Sequence, residues 1–166
     1  MKSTPRQISQ LKEPEDTALA IFADFFDRSR IEWDSAEDGA MIALGAFSPE
    51  NLPLTCVGWV DPDGDVVLRI DISWTVPRAR APEVRRLVKI WNHNSYPFKL
   101  IFDEEVRLFS LQHVFPADEF SYIALAGMVQ IMLDAAPSIY ELCNTENGAD
   151  CKGFIALAGR PAEGCA

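Results

Sequence analysis

The stretch Val66-Val67-Leu68-Arg69-Ile70-Asp71-Ile72-Ser73-Trp74 decides the fold. Val66, Leu68, Ile70, Ile72 and Trp74 alternate with Val67, Arg69, Asp71 and Ser73. A side-chain period of two is that of a β-strand, and here it makes one face apolar and the other mostly polar. The run Asp61-Pro62-Asp63-Gly64-Asp65 precedes it, with a proline that presets a turn φ and a glycine able to take a positive one. That hairpin turn leads back to a strand pattern over residues 54–60 and, before it, another over 40–47. Downstream, residues 98–103 and 106–115 read as two more strands, joined tightly at Glu104-Glu105. Short links between consecutive strands require antiparallel pairing.

Helical periodicity fills the gaps between these strands. Ala18, Leu19, Phe22, Phe25 and Phe26 recur at three and four, which predicts a helix over residues 15–30 with one apolar stripe. Val84, Leu87, Val88 and Trp91 do the same over 82–92, where Pro82 suits a first helical turn. A last helix is predicted over 117–134, with Pro137 breaking or kinking what continues to Cys143. The order is α-β-β-β-α-β-β-α, an α+β fold with an antiparallel sheet and helices on one face. The 166 residues suit one domain, over 15–143, between an N-terminal arm (1–14) and a loosely attached Gly/Ala-containing tail (144–166).

Composition narrows the function. A formal charge of −10 sets the surface against a polyphosphate partner, so nucleic acid is not expected. The opening MKSTPRQISQLKEPED lacks the apolar core of a secretory signal, and no apolar run reaches the roughly 20 residues of a membrane span. Cytoplasmic residence is therefore expected, without membrane insertion. Cys56 reads as a small buried hydrophobe, and Cys143, Cys151 and Cys165 are too far apart for a C-x-x-C ligand pair. A Cys151–Cys165 bridge is sterically conceivable but does not suit a reducing compartment.

Chemical centres fail one by one. A calcium loop beginning at Asp61 needs glycine sixth and glutamate twelfth; here glycine is fourth and Ile72 is twelfth. His93 falls at a helix end, where the dipole suits it, and His113 falls late in a strand; neither stands beside a turn that presents a nucleophile. Gly45, Gly58 and Gly64 are isolated, so no loop cradles a phosphate. Gly127 lies inside the last helix, where close packing is the expected reason. The protein is expected to be non-enzymatic, with no catalytic residue, metal or cofactor.

Two features point instead to contact with other proteins. Arg78, Arg80, Arg85, Arg86 and Lys89 crowd into a short span of an acidic chain. Their ordinary role is the solvated face of a helix; their sharper one is a partner-binding patch for an acidic segment or a phosphate. The last helix is apolar on nearly every side from residue 120 to 133, more than one sheet face needs. Either the tail or a second subunit covers it. A homodimer is expected, with Ile123, Met128, Ile131 and Met132 on its surface.

The run Ile90-Trp91-Asn92, then Phe98-Lys99-Leu100-Ile101-Phe102-Asp103, an acidic turn, Val106-Arg107-Leu108 and a long apolar helix resembles the YbjN-like family over residues 17–142. These are bacterial proteins regarded as sensory transduction regulators, and their fold is like that of type III secretion chaperones. The turn departs from the family, which commonly carries Asp and Gly there, whereas Asp103-Glu104-Glu105 has no glycine. The resemblance implies a chaperone-like fold and a non-enzymatic protein-binding module, either a regulator or chaperone-like adaptor. Three readings stand together: that one, a type III secretion chaperone holding an effector segment, and an enzyme with an unrecognised site.

Overall fold

A computed structural model describes residues 14–36, 39–44, 54–72, 75–94 and 96–144. The order is helix α1 (Pro14–Arg28), strands β1 (Trp33–Ser35), β2 (Met41–Leu44), β3 (Leu54–Val60) and β4 (Val66–Ile72), helix α2 (Ala81–His93), strands β5 (Lys99–Asp103) and β6 (Leu108–Phe115), and helix α3 (Tyr122–Asn144). The six strands form one sheet in the order β1-β2-β3-β4-β6-β5, every neighbour antiparallel. After β4 the chain crosses through α2 to the edge and lays down β5. It then returns as β6 in the gap.

The alternation over residues 66–72 holds on its apolar face, while Val67 on the opposite face is buried as well. Val66, Leu68, Ile70 and Ile72 are all buried, and their partners Cys56, Leu54, Leu111, Phe109 and Phe115 share their face. Buried residues of all three helices join that face in one core: Phe22 and Phe26 of α1, Leu87 and Trp91 of α2, Leu125 and Met132 of α3. Each such side chain contributes roughly 1.5–3 kcal/mol on burial, so this single face carries most of the stability. At the sheet centre α1 comes very close. A Cβ built on Gly58 would lie 2.4 Å from Phe22 Cζ, so glycine is what lets the ring lie on the strand.

Turn chemistry sets the register. At the β3–β4 hairpin Gly64 has φ +89°, and Asp61 Oδ1 accepts the amides of Asp63 and Asp65 at 3.0 and 2.9 Å. The Asp61 carboxylate is thus occupied by backbone. The β5–β6 turn solves its missing glycine differently. Asp103 Oδ1 accepts the amides of Glu105 and Val106, and Arg107 takes the left-handed conformation at φ 58°. Arg107 is held there through Val76, whose N–H donates to its carbonyl at 2.8 Å.

Several boundaries differ from the sequence expectation. α1 stops at Arg28, because Arg30 turns left-handed (φ 55°) and Ile31 N–H reaches back to the Phe26 carbonyl at 3.0 Å. The three-residue strand β1 was not expected, being too short to show a period. β6 begins at Leu108, since the turn uses Val106 and Arg107. α3 begins at Tyr122 rather than 117, because Glu119 N–H closes a turn on Pro116 and Ser121 Oγ caps the Ala124 amide at 3.2 Å. It also runs through Pro137 to Asn144, held by Ala136 and Ile139 in the core. Trp74, the end of the predicted first strand over 45–47, the arm over 1–13 and the tail with Cys151 and Cys165 lie outside the described residues.

Candidate functional site

The face of the sheet away from the helices is the first candidate. Trp59, Val67 and Val114 are cross-strand neighbours in one row on β3, β4 and β6. The next row holds Ile42, Val57, Arg69, Gln112 and Lys99, and a third holds Thr55, Asp71, Ser110 and Ile101. Val114 is 42% exposed and Ile101 39%. Polar groups on this face are ordered: the Arg69 guanidinium lies over the Trp59 ring and pairs with Asp71 at 2.9 Å, and Ser110 Oγ donates to Asp71 at 2.6 Å. A cleft of about 250 Å³ opens beside Trp59 and Arg69, lined also by Val57, Val60, Gly39, Ala40 and Leu19 of α1. That is room for a side chain or two of a partner, with an aromatic wall and a cation at its edge.

The β5 edge is guarded by the residues that carry the family resemblance. Asn92, at the end of α2, donates through Nδ2 to the Leu100 carbonyl at 2.8 Å and accepts the Leu100 amide on Oδ1 at 2.9 Å. Its carboxamide therefore stands where a neighbouring strand would. Trp91 Nε1 donates to the Phe98 carbonyl at 3.1 Å, with its ring stacked on Tyr96 at 4.0 Å. Trp91 is buried, as its place in the apolar stripe predicts, and the helix end is closed at Asn94, whose N–H reaches the Trp91 carbonyl.

His113 is half-buried on β6, and its Nδ1–H donates to the Pro97 carbonyl. Loss of hydration lowers its pKa, with the bond to Pro97 pulling the other way. Burial pushes the Cys56 thiol far up, which keeps it an inert neutral group. Among the described residues, no three of His, Cys, Asp and Glu are grouped to hold a metal.

The basic cluster is brought together, but with acids inside it. Arg80 pairs with Glu83 at 3.1 Å and Arg85 with Glu104 at 3.5 Å, while Arg78, Arg86 and Lys89 are exposed around them. A strongly positive field needs unanswered charge, and Arg80 and Arg85 at least have answers in the chain. The expected dimer surface divides. Ile123 is 83% exposed and Ile131 43%, with Met128 half-buried. Met132 is fully buried, facing inward with Leu125, Val129, Ala136 and Ile139, so it belongs to the core and not to a surface. Gly127 has open space about it rather than the close packing expected.

No protein-family model matches the chain, and no curated protein sequence matches it. Among solved structures it is similar to the ExsC–ExsE complex, with a TM-score of 0.55 at 14% identity, over 75% of this chain and 92% of that one. It also matches YbjN, a candidate transcription regulator from E. coli, at a TM-score of 0.48 and 10% identity, over 72% of this chain and 91% of that one. The first likeness shows the fold. The chain has the α+β architecture of the type III secretion chaperone-like class, with a six-stranded antiparallel sheet covered by helices on one side.

Proposed function

We propose that the protein is a non-enzymatic binding module, a regulator or chaperone-like adaptor that holds a polypeptide segment against the sheet face opposite its helix-packed core. The observation that carries this is the row of Trp59, Val67 and Val114, with Val114 42% exposed, beside a cleft whose walls include Trp59, Arg69 and Leu19 of α1. An aromatic and an arginine at such a strip are the residue types that anchor protein contacts. The similar fold in the ExsC–ExsE complex is seen in a complex of two proteins, which supports the same use here. The Trp91-Asn92 resemblance to YbjN-like proteins favours a sensory transduction regulator in the cytoplasm. The fold likeness favours a second reading, a type III secretion chaperone for an effector segment.

Tagged chain retrieved from its native cells tests this reading. The wild type should retain a partner that Ile101→Lys/Val114→Lys, two exposed positions on that face, does not. A partner retained equally by both would sink the sheet-face assignment. A secreted effector among the retained proteins selects the chaperone reading, and a signalling protein selects the regulator.

A further inference from the structure

A second cleft, of about 280 Å³, opens at the start of β5, with Lys99, Ile101, Gln112 and Val114 in its wall together with Tyr96 and Pro97. It answers the cleft beside Trp59. Trp59, Val67 and Val114 form one cross-strand row, and a cleft lies at each end of it. None of the residues lining the second cleft is acidic, on a chain whose formal charge is −10.

The hydrogen-bonding groups of this cleft are unequally spent. The Pro97 carbonyl accepts from His113, the Phe98 carbonyl from Trp91 and the Leu100 carbonyl from Asn92. These acceptors are occupied, and the donors are not. Lys99 is exposed and forms no ion pair with any described residue. The Tyr96 hydroxyl is buried with no partner among the described residues. What is left over asks for an acceptor, and an ammonium bonds most strongly to an anionic one. Ile101 and Val114, both exposed, supply an apolar wall for the carbon stem that would carry it.

We propose that this cleft receives an acidic side chain of the held polypeptide, its carboxylate at Lys99 and its stem against Ile101 and Val114, while the cleft beside Trp59 receives an apolar side chain. The acid rests on the sheet-face reading above and gives the held segment a chemistry. Trp59 and Val114 lie two strand spacings apart, about 10 Å, and the clefts extend beyond them towards β2 and β5. Extended chain advances about 3.4 Å per residue and turns alternate side chains to one face, so residues about four apart reach both clefts from a single segment. The order is fixed by charge. Arg69, at the Trp59 end, is already paired with Asp71 at 2.9 Å, so the unanswered cation is the one at β5. A polyphosphate would meet the repulsion of the whole chain, whereas one carboxylate responds mainly to the charges within a Debye length. Lysines at 101 and 114 would crowd the cleft and remove the apolar wall, so that double variant still loses the segment.

Phage-displayed random peptides of about ten residues, long enough to cross the sheet, are panned against the full chain as the test. Wild type should enrich Asp or Glu about four positions from a large apolar residue. Lys99→Glu, at an exposed site, should enrich Lys or Arg there instead, at an unchanged urea midpoint. Lys99→Met, the second variant, should show no charge preference at that position. In fluorescence anisotropy the enriched acidic peptide should bind Lys99→Glu at least about ten-fold more weakly than wild type, and its acid-to-lysine version should reverse that order. An acid preference that survives Lys99→Glu overturns the proposal, and so does a library from which nothing is enriched. Displacement of the peptide by about 1 mM glutarate overturns it as well, since the cleft would then be a site for small acids. Enriched peptides that lack the acid but are lost from Trp59→Ala overturn it and leave the sheet-face reading standing. Peptides enriched equally by Trp59→Ala and wild type sink both.

Discussion

Gly58 lies beneath the Phe22 ring, and there is no room there for even one methyl group. Gly58→Ala should destabilise the fold by about 1–3 kcal/mol through overpacking, and Phe22→Leu in the same chain should recover part of the loss. The urea midpoint, at unchanged slope, reads it. The sequence shows Gly58 as one isolated glycine; its reason is a ring on another element, which no local pattern carries. His113 offers a second test. Its folded pKa lies below the ordinary 6.5, chiefly because burial strips its hydration. The folded chain therefore binds the proton less readily than the unfolded one. The stability this gives is complete above pH 6.5 and is lost as pH falls through the folded pKa. The wild-type melting temperature should accordingly drop more between about pH 7.5 and 5 than that of His113→Gln. Half-exposure keeps the difference small through solvent screening. Parallel drops in the two proteins would contradict this account.

Edges are the weak points of a sheet, and β5 shows how an element is finished by a side chain from another. Leu100 turns its N–H and C=O outward, and Asn92 satisfies both. Asn92→Leu leaves them to water and removes two hydrogen bonds, a loss of about 1–2 kcal/mol. Hydrogen exchange should quicken at the Leu100 amide, while Leu111, inside the sheet between β4 and β5, keeps its protection. Equal exchange in the two proteins would show that the carboxamide does not seal the edge. The Trp-Asn pair was legible as a motif, and its task was not, because the groups it serves lie seven and eight residues onward across a turn. Strands and helices with a full period were legible for the same physical reason that they form: one face must leave water. β1 has too few residues for a period. The start of α3 was misplaced because apolar periodicity outweighed Ser121, although a serine cap is a readable signal. Met132 was assigned to a surface because a helix apolar all round does not say which side meets its own core.

At the scale of the molecule, the helix layer separates two surfaces. The Trp59–Val67–Val114 strip faces one way, and the Ile123–Gly127–Ile131 row lies beyond the helices on the other. They share no residue, and the sheet and its core stand between them. Sites that far apart, without common partners, are expected to respond additively to substitution. Ile101→Lys/Val114→Lys should thus abolish retention of the polypeptide partner and leave the urea midpoint close to that of wild type. Ile123→Lys, at an exposed position on the outer side of α3, should bind the partner segment with unchanged affinity. Titration of the retained partner into each variant, followed by calorimetry, reads the affinity. Loss of binding in Ile123→Lys would mean that the binding surface reaches round to the outer side of α3. The strip on the sheet would then be part of a site rather than the whole of it.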